Sequence, residues 1–564
     1  MSAGALGPEA RERAVQRFGV ERFDIAVVGG GITGVGIALD AATRGLSVAL
    51  VEAGDIAGET SSRSSKLIHG GLRYLEMLDI GLVREALSER RLLLTRIAPH
   101  LVRPVPFLFT LTRRVWDRPY VGAGLLLYDS MGGARHLPRA RHLSRRKALR
   151  AAPALRPDAL TGAVVFHDCQ EDDALYAAYV ARTASAHGAA IATRMRAVGV
   201  MRGSDGRVQG LDLRDEESGG GLELRARHVV AAVGGATDQF LGLATGRPSE
   251  LLRPSKGIHL LVPRAAIAAR PGIFMRTEKS IFHAIPWGDA HWLLGDTDTA
   301  WDGGPDDVVA SGADRDYVLD KINSVVRTPV RAEDVCGVLA GLRPLVAAGG
   351  GDDTTKLSRS HRLFRPADGM TAIAGGKYTT YRVMARDAVD AAARDLSGAA
   401  PSRTEEVPLV GAEGAGAGAP ARVPDEHAAL LRRRHGGCAE EVAALAAGDS
   451  ELAVPIAGAE RYLRAEAVHA VTHQGARDLD DVLARRIRIA LEVPDQGRTA
   501  AADVAPFVGR ALGWSAAETA ERVASYVRLR DAGAAALEAR TDADARARFA
   551  AILAGAPPHP PNGR

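Results

Sequence analysis

Three glycines, Gly29, Gly31 and Gly34, come after the apolar run Asp24-Ile25-Ala26-Val27-Val28 at GxGxxG spacing. That spacing lets a backbone turn tightly and approach a pyrophosphate at a helix N-terminus, where unpaired N–H groups and the helix dipole favour an anion. Ala38 is small enough to keep the following helix close to a sheet. The helix predicted from Gly34 to Arg44 stops at Gly45, and Val48-Ala49-Leu50-Val51 reads as a buried strand ending at Glu52. A carboxylate at that point hydrogen-bonds ribose hydroxyls and disfavours a 2′-phosphate, which argues against NADP. The chemistry indicated is nucleotide-dependent redox chemistry, and the fingerprint alone does not separate FAD from NAD.

The residues after Glu52 do separate them. A hydroxyl and lysine cluster, Thr60-Ser61-Ser62-Arg63-Ser64-Ser65-Lys66, runs into Leu67-Ile68-His69-Gly70-Gly71-Leu72-Arg73-Tyr74, where an NAD-dependent Rossmann domain would continue with another helix and strand. This stretch resembles the segment beside the isoalloxazine ring in the FAD-dependent (aerobic, respiratory) glycerol-3-phosphate dehydrogenase family, within the D-amino-acid oxidase/glycine oxidase-like superfamily. The resemblance recurs at Ile285-Pro286-Trp287, Gly295-Asp296-Thr297-Asp298, Gly341-Leu342-Arg343-Pro344-Leu345 and Gly375-Gly376-Lys377-Tyr378-Thr379-Thr380-Tyr381-Arg382. Asp481-Val482-Leu483-Ala484-Arg485-Arg486 looks like the helical domain of the same family.

The resemblance implies oxidation of sn-glycerol 3-phosphate to dihydroxyacetone phosphate, with hydride passing to FAD N5 and electrons passing on to quinone. Such a reaction needs an anion clamp, a base for the hydroxyl proton and a flavin positioned to accept hydride. Arg343 resembles the phosphate-clamping arginine, whose planar fork matches phosphate oxygens, and Arg73, Tyr74 and Thr380 are further candidates for that pocket. Lys377, after two glycines, is placed to stabilise negative charge on reduced flavin or to bind substrate phosphate. His259 resembles the family's active-site histidine, with His69 and His283 as competitors for the role of base. The FAD contacts implied are Gly29, Gly31, Gly34, Glu52, Ser62, Ser65, Lys66, His69, Gly234, Gly376, Lys377 and Thr379. Ala231-Ala232-Val233-Gly234 stands where the family usually has an Asn-Ala-Thr-Gly-like sequence, so contact there is expected from the Gly234 backbone. Ser280 replaces a residue that is often basic, with Lys279 beside it. Alternative readings are a glycerophosphate oxidase using dioxygen, an amine or amino-acid oxidase of the same superfamily, and a non-catalytic flavin-bound sensor.

The expected fold is α/β, a discontinuous Rossmann-like FAD-binding domain with an antiparallel-sheet substrate domain and a C-terminal helical domain. Residues 1–22 read as an N-terminal helical extension, and 23–400 as the FAD-dependent oxidoreductase. Its FAD-binding segments are expected at about 23–100, 160–250 and 350–400, with substrate and cap segments at about 101–159 and 251–349. Ile191 to Met201 reads as a strand, Asp205-Gly206 and Gly219-Gly220-Gly221 as hairpin turns, and Ile281 to Gly295 as a hairpin roofing the flavin. An Ala/Gly-rich passage ends a linker at 401–420, and residues 421–554 carry helical spacing.

Composition narrows the class. The chain of 564 residues carries a net charge of +4, and its three cysteines, Cys169, Cys336 and Cys438, are far apart, which indicates neither a disulfide framework nor a zinc site. No secretory signal and no run of about twenty apolar residues is present. Arg103 to Arg150 holds eleven Lys or Arg against Asp117 and Asp129. It also holds the apolar stretch Val121 to Met131, beside Trp116 and the basic run Arg139 to Arg150. Cations beside apolar anchors suit an anionic membrane surface. The resemblance favours that reading over a solvated charged face. No nucleic-acid motif is present. The expectation is a cytoplasmic protein, peripheral on the inner face of the cell membrane, with room for a homodimer and no metal.

Overall fold

The structure, a computed structural model, describes residues 4–71, 79–112, 117–133, 136–277, 281–347, 360–396, 398–414 and 423–555. The strand Arg22–Val28 is flanked in parallel by Gly221–Ala231 and Val48–Val51. Met370–Ala374 and Ala190–Ala192 extend the parallel set on either side, and Arg362–Ala367 closes one edge antiparallel. Such a sheet is covered on both faces, which is why Val48–Val51 is an unbroken apolar run. Alternation still sorts the side chains: Ile25 and Val27 join the core beneath helices Ile32–Thr43, Asp173–Ala186 and Tyr381–Ala393, whereas Ala26 and Val28 join the core on the opposite face.

That opposite core also takes Ala14 and Phe18 of the helix Pro8–Val20. Arg11 fixes the helix further, donating to the Thr193 carbonyl at 2.8 Å and to Asp215 at 2.7 Å. The passage read as one strand from Ile191 to Met201 is two strands, Ala190–Ala192 and Met195–Arg202. The break falls at Arg194, whose φ is 54°, whose N–H donates to the Gly54 carbonyl and whose guanidinium reaches Asp481. Met195–Arg202 then pairs with Val208–Asp215 around the Asp205-Gly206 turn.

The second sheet runs in the order Gly337–Arg343, Ser255–Pro263, His291–Gly295, Ile281–Trp287, Gly272–Arg276, Arg103–Leu111, Gly162–Gln170. All neighbours are antiparallel except Gly272–Arg276 against Arg103–Leu111. Gly162–Gln170 therefore belongs to this sheet, and the chain returns to the nucleotide-binding sheet with the helix that begins at Asp173. In the basic stretch, helix Asp117–Tyr128 buries Leu125 and Tyr128 and exposes Leu127, because Tyr128 reaches inward to a buried pair, Asp168 and Arg90. Trp116 lies outside the described residues.

Helices Asp425–His435, Ala439–Gly448, Arg464–Thr472, Arg498–Leu512, Ala516–Ala536 and Asp542–Leu553 make the C-terminal part. Its attachment to the nucleotide-binding sheet is ionic and buried. Arg486 donates through both Nη atoms to Asp55 at 2.7 and 2.9 Å, and Arg485 adds Nε at 2.6 Å. Arg488 grips Asp172 and Asp173. Residues 401–414, expected as free linker, lie against the body: Leu409 is buried and its N–H donates to the Ile97 carbonyl, and Thr404 is buried near Arg382. Residues 415–420 lie outside the described residues. Among the described residues no helix is long and apolar enough to cross a membrane.

Removing one partner of a buried ion pair strands the other. Asp55→Ala leaves the Arg486 guanidinium with only the Gln474 carbonyl, and the expected cost is about 3–5 kcal/mol, read as a lowered thermal unfolding midpoint.

Candidate active site

The carboxyl ends of the parallel strands open into one cavity of about 650 Å³. Gly29 and Gly31 line it after the first strand, Glu52 to Gly54 after the second, Ala232 to Ala236 after the third, and Gly375 to Tyr378 after the fourth. The first turn tolerates no side chain at Gly34, where a Cβ would fall 1.9 Å from the Gly29 carbonyl oxygen. Glu52 accepts from the Gly30 N–H at 2.5 Å and the Gly54 N–H at 2.6 Å. Burial raises its pKa, and those two N–H groups oppose the rise.

The hydroxyl cluster contributes differently from expectation. Ser61 and Ser64 line the cavity, whereas the candidates Ser62 and Ser65 do not. The 3₁₀ turn Thr60–Ser62 points Ser62 inward, where its hydroxyl donates to the Glu59 carbonyl. Ser61 accepts from the Ile32 N–H at 2.9 Å and so caps the helix behind the glycine turn. Lys66 is likewise turned away from the cavity: its ammonium is buried and donates to Asp173 at 2.6 Å and the Ser62 carbonyl at 3.0 Å, because a buried cation needs a buried acceptor. His69 sits at the next step of the chain, its N–H donating to Thr379 Oγ1 at 3.1 Å. Gly234, Gly376 and Lys377 line the cavity, and Thr380 is buried beside them with its N–H on the Lys377 carbonyl. Arg73, Tyr74, Lys279 and Ser280 lie outside the described residues.

A polar cluster borders this cavity. Leu342 and Pro344, on either side of Arg343, are wall residues, and Thr60 and Arg63 donate to the Leu342 and Ala340 carbonyls of the same strand. Sheet register assembles the rest, with His259 and His283 both opposite Gly295 and Ser255 opposite Arg343. His259 Nε2 is 3.0 Å from Ser65 Oγ. Burial, outweighing the nearby Asp296 charge, pulls its pKa down to about 3 and that of His283 below its ordinary value, so both rings are neutral. His283 is stacked on Phe274, with ring centroids 5.5 Å apart. Arg343 donates to Asp296 and, at 2.8 Å, to the Thr297 carbonyl.

Sequence reading missed Asp173, Arg488, Asp296 and Glu171. Asp173 accepts from Lys66, from the Ser64 N–H and hydroxyl at 2.9 and 2.7 Å, and from Arg488. Glu171 is buried, which raises its pKa well above the ordinary range. Paired acids at the start of a helix were the one local signal, but their partner lies more than three hundred residues away. Glu441, His469 and His473 bring three donor atoms within 4.8 Å of one another. Both oxygens of that carboxylate are already bonded to Arg182 and one also to His469, which accounts for the cluster as an ion-pair network.

Residues 24–382 match the family model described as FAD dependent oxidoreductase, and residues 402–519 match the C-terminal domain of alpha-glycerophosphate oxidase. Glycerol-3-phosphate dehydrogenase 2 of Mycobacterium tuberculosis is 48% identical over 534 residues, 93% of this chain and 91% of its own. Glycerol-3-phosphate dehydrogenase of Mycobacterium leprae is 49% identical over 536 residues, with the same coverage of 93% and 91%. The X-ray structure of the glycerol-3-phosphate dehydrogenase from Bacillus halodurans complexed with FAD aligns with a TM-score of 0.74 and 25% identity, over 92% of this chain and 97% of that one.

Histidines buried in neutral form oppose acid. His100 and His228 are lowered to about 4, and His259 and His469 to about 3, all chiefly by burial. Folded values below the ordinary 6.5 mean that the unfolded chain binds more protons between 6.5 and about 3. Stability therefore rises with pH through that window and is lost as pH falls through it. Thermal midpoints measured across this range should show that slope, and His228→Gln should flatten it.

Proposed function

The chain belongs to the family of FAD-dependent oxidoreductases in which the glycerol-3-phosphate dehydrogenases stand, and on that premise we propose that it oxidises sn-glycerol 3-phosphate to dihydroxyacetone phosphate with quinone as electron acceptor. The observation that carries the reading is the union of a nucleotide cavity at the strand ends with a cationic arginine and a neutral histidine at its border.

The residues present fit FAD. The cavity of about 650 Å³ is lined by residues that follow four of the parallel strands, the close-packed turn at Gly29 to Gly34 admits a pyrophosphate, and Glu52 is placed to accept from ribose hydroxyls. Bound there, FAD supplies a two-electron acceptor for hydride leaving the substrate carbon. Arg343 holds the phosphate, and Thr380 is buried on the Lys377 side of the site. His259 takes the hydroxyl proton: its ring is neutral, its Nε2 is already at hydrogen-bond distance from a hydroxyl, and its proton affinity rises when a dianionic substrate arrives beside it. His283 is less suited, since its ring is stacked on Phe274. Lys377 lines the cavity and offsets negative charge that develops there.

The match of residues 402–519 to a glycerophosphate oxidase domain keeps dioxygen as a second acceptor to test. Arg139, Arg141, Arg145, Arg146, Lys147 and Arg150 are exposed on one short stretch, which supports docking on an anionic membrane surface, measurable as cosedimentation with anionic but not neutral vesicles.

Anaerobic stopped-flow of the FAD-loaded protein tests the reaction. Bleaching by sn-glycerol 3-phosphate but not by glycerol or glycine, and then faster reoxidation with quinone than with oxygen, is the expected result; no bleaching by the ester would refute it. Arg343→Ala should weaken use of the ester by about a hundredfold or more, and His259→Gln should slow flavin reduction by about 10²–10⁴-fold. Gly34→Ala should yield protein without visible flavin absorbance, since its methyl group occupies the turn.

A further inference from the structure

We infer that Asp296 is a built-in counter-ion for Arg343, standing where the substrate's phosphate binds and setting how strongly an anion must bind to enter. The inference rests on the reading of Arg343 as the phosphate clamp. One Nη of Arg343 donates both to Asp296 and to the Thr297 carbonyl, and the other lies 3.4 Å from Ser255 Oγ. The guanidinium also lies against Gly257, where a Cβ would fall 2.5 Å from it. Arginine is thus held in place by backbone on one side, and the aspartate, directly after the end of its strand, takes one of its two Nη groups. Both side chains are about one-fifth exposed, at 19% and 20%, so the pair is partly open to solvent yet shielded enough for its attraction to matter.

Among the described residues, the other charged neighbours are engaged elsewhere: Asp298 accepts from the Ser255 hydroxyl that the second Nη of Arg343 approaches. His259 and His283, on the two adjoining strands, are neutral, and Lys66 is taken up by Asp173. A phosphate dianion placed on the guanidinium meets the Asp296 carboxylate as a like charge and must displace it. A doubly charged ester can do so, a neutral polyol has nothing to displace it with, and weakly held anions compete poorly. Asp296 therefore lowers the affinity of the guanidinium for the ester and for free phosphate alike, and keeps it from being occupied by anions that bind it only weakly.

The test compares Asp296→Asn and Asp296→Glu as FAD-loaded full-length proteins, with KM and kcat for sn-glycerol 3-phosphate and inhibition by inorganic phosphate as readouts. Loss of the charge should lower KM for the ester and the inhibition constant for phosphate together by about tenfold, with kcat moving less than KM, and the glutamate variant should return both constants toward the wild-type values. A KM that is unchanged or raised in Asp296→Asn would overturn the inference, a rise marking Asp296 as a direct substrate ligand. Arg343→Gln separates the two readings: if it leaves KM unmoved, the phosphate clamp itself fails, whereas a raised KM there with no fall in Asp296→Asn defeats the counter-ion alone. Flavin content and thermal midpoint verify folding, and Asp296→Ser replaces the asparagine variant should that one not retain flavin.

Discussion

The carboxylate of Asp173, fully buried at the start of a helix, is the point on which the site is built. A charge so far from water is tolerable only when its lone pairs are taken, and here Lys66, Ser64 and Arg488 take them. Two of these partners come from the segment just past Glu52, and the third from the C-terminal part. Satisfying one buried acid therefore folds the 60–66 segment into its particular course. Ser61 and Ser64 line the cavity with the Ser64 hydroxyl held on Asp173, Ser65 meets His259, and Lys66 turns into the interior. Asp55 repeats the device a few residues earlier with Arg485 and Arg486, so the segment that follows Val48–Val51 and lines the nucleotide cavity is braced at two points from the same distant element.

Between the two sheets, charge is distributed by depth. The nucleotide side presents backbone N–H groups, Glu52 and Lys377, while the border presents Arg343 opposed by Asp296 and histidines kept neutral by desolvation. Neutral imidazoles can accept a proton, and an arginine balanced by a nearby acid does not draw anions indiscriminately. The antiparallel register sets this up: a single glycine, Gly295, lies opposite both His259 and His283, and the chain turns straight from it to Asp296.

Local patterns reveal the parallel core. The glycine spacing, the apolar run at Val48–Val51 and the hairpin from Ile281 to Gly295 are all written in near-neighbour residues, and the structure has them as read. What escaped was carried by long-range pairing. Ile191 to Met201 looks continuous because nothing nearby shows that Arg194 leaves the strand to meet Asp481. Lys66 resembles a ligand by position, but its burial is decided by Asp173. The serines alternate in and out of a 3₁₀ turn whose phase the hydroxyl run does not reveal. The linker read at 401–420 rests on its Ala/Gly-rich end, whereas the Arg382 and Ile97 contacts of Thr404 and Leu409 hold residues 401–414 to the body.

The ionic seam between Asp55, Asp172 and Asp173 on one side and Arg485, Arg486 and Arg488 on the other also bears on how such a chain can change over time. Acids and arginines more than three hundred residues apart form a lock and key within one polypeptide. A helical part taken from a related enzyme by recombination would be accepted only if it brought arginines in the same three places, since a mismatch on either side leaves charge stranded in the interior. The two parts can be read as separate modules along the chain, but they are inherited as a matched pair.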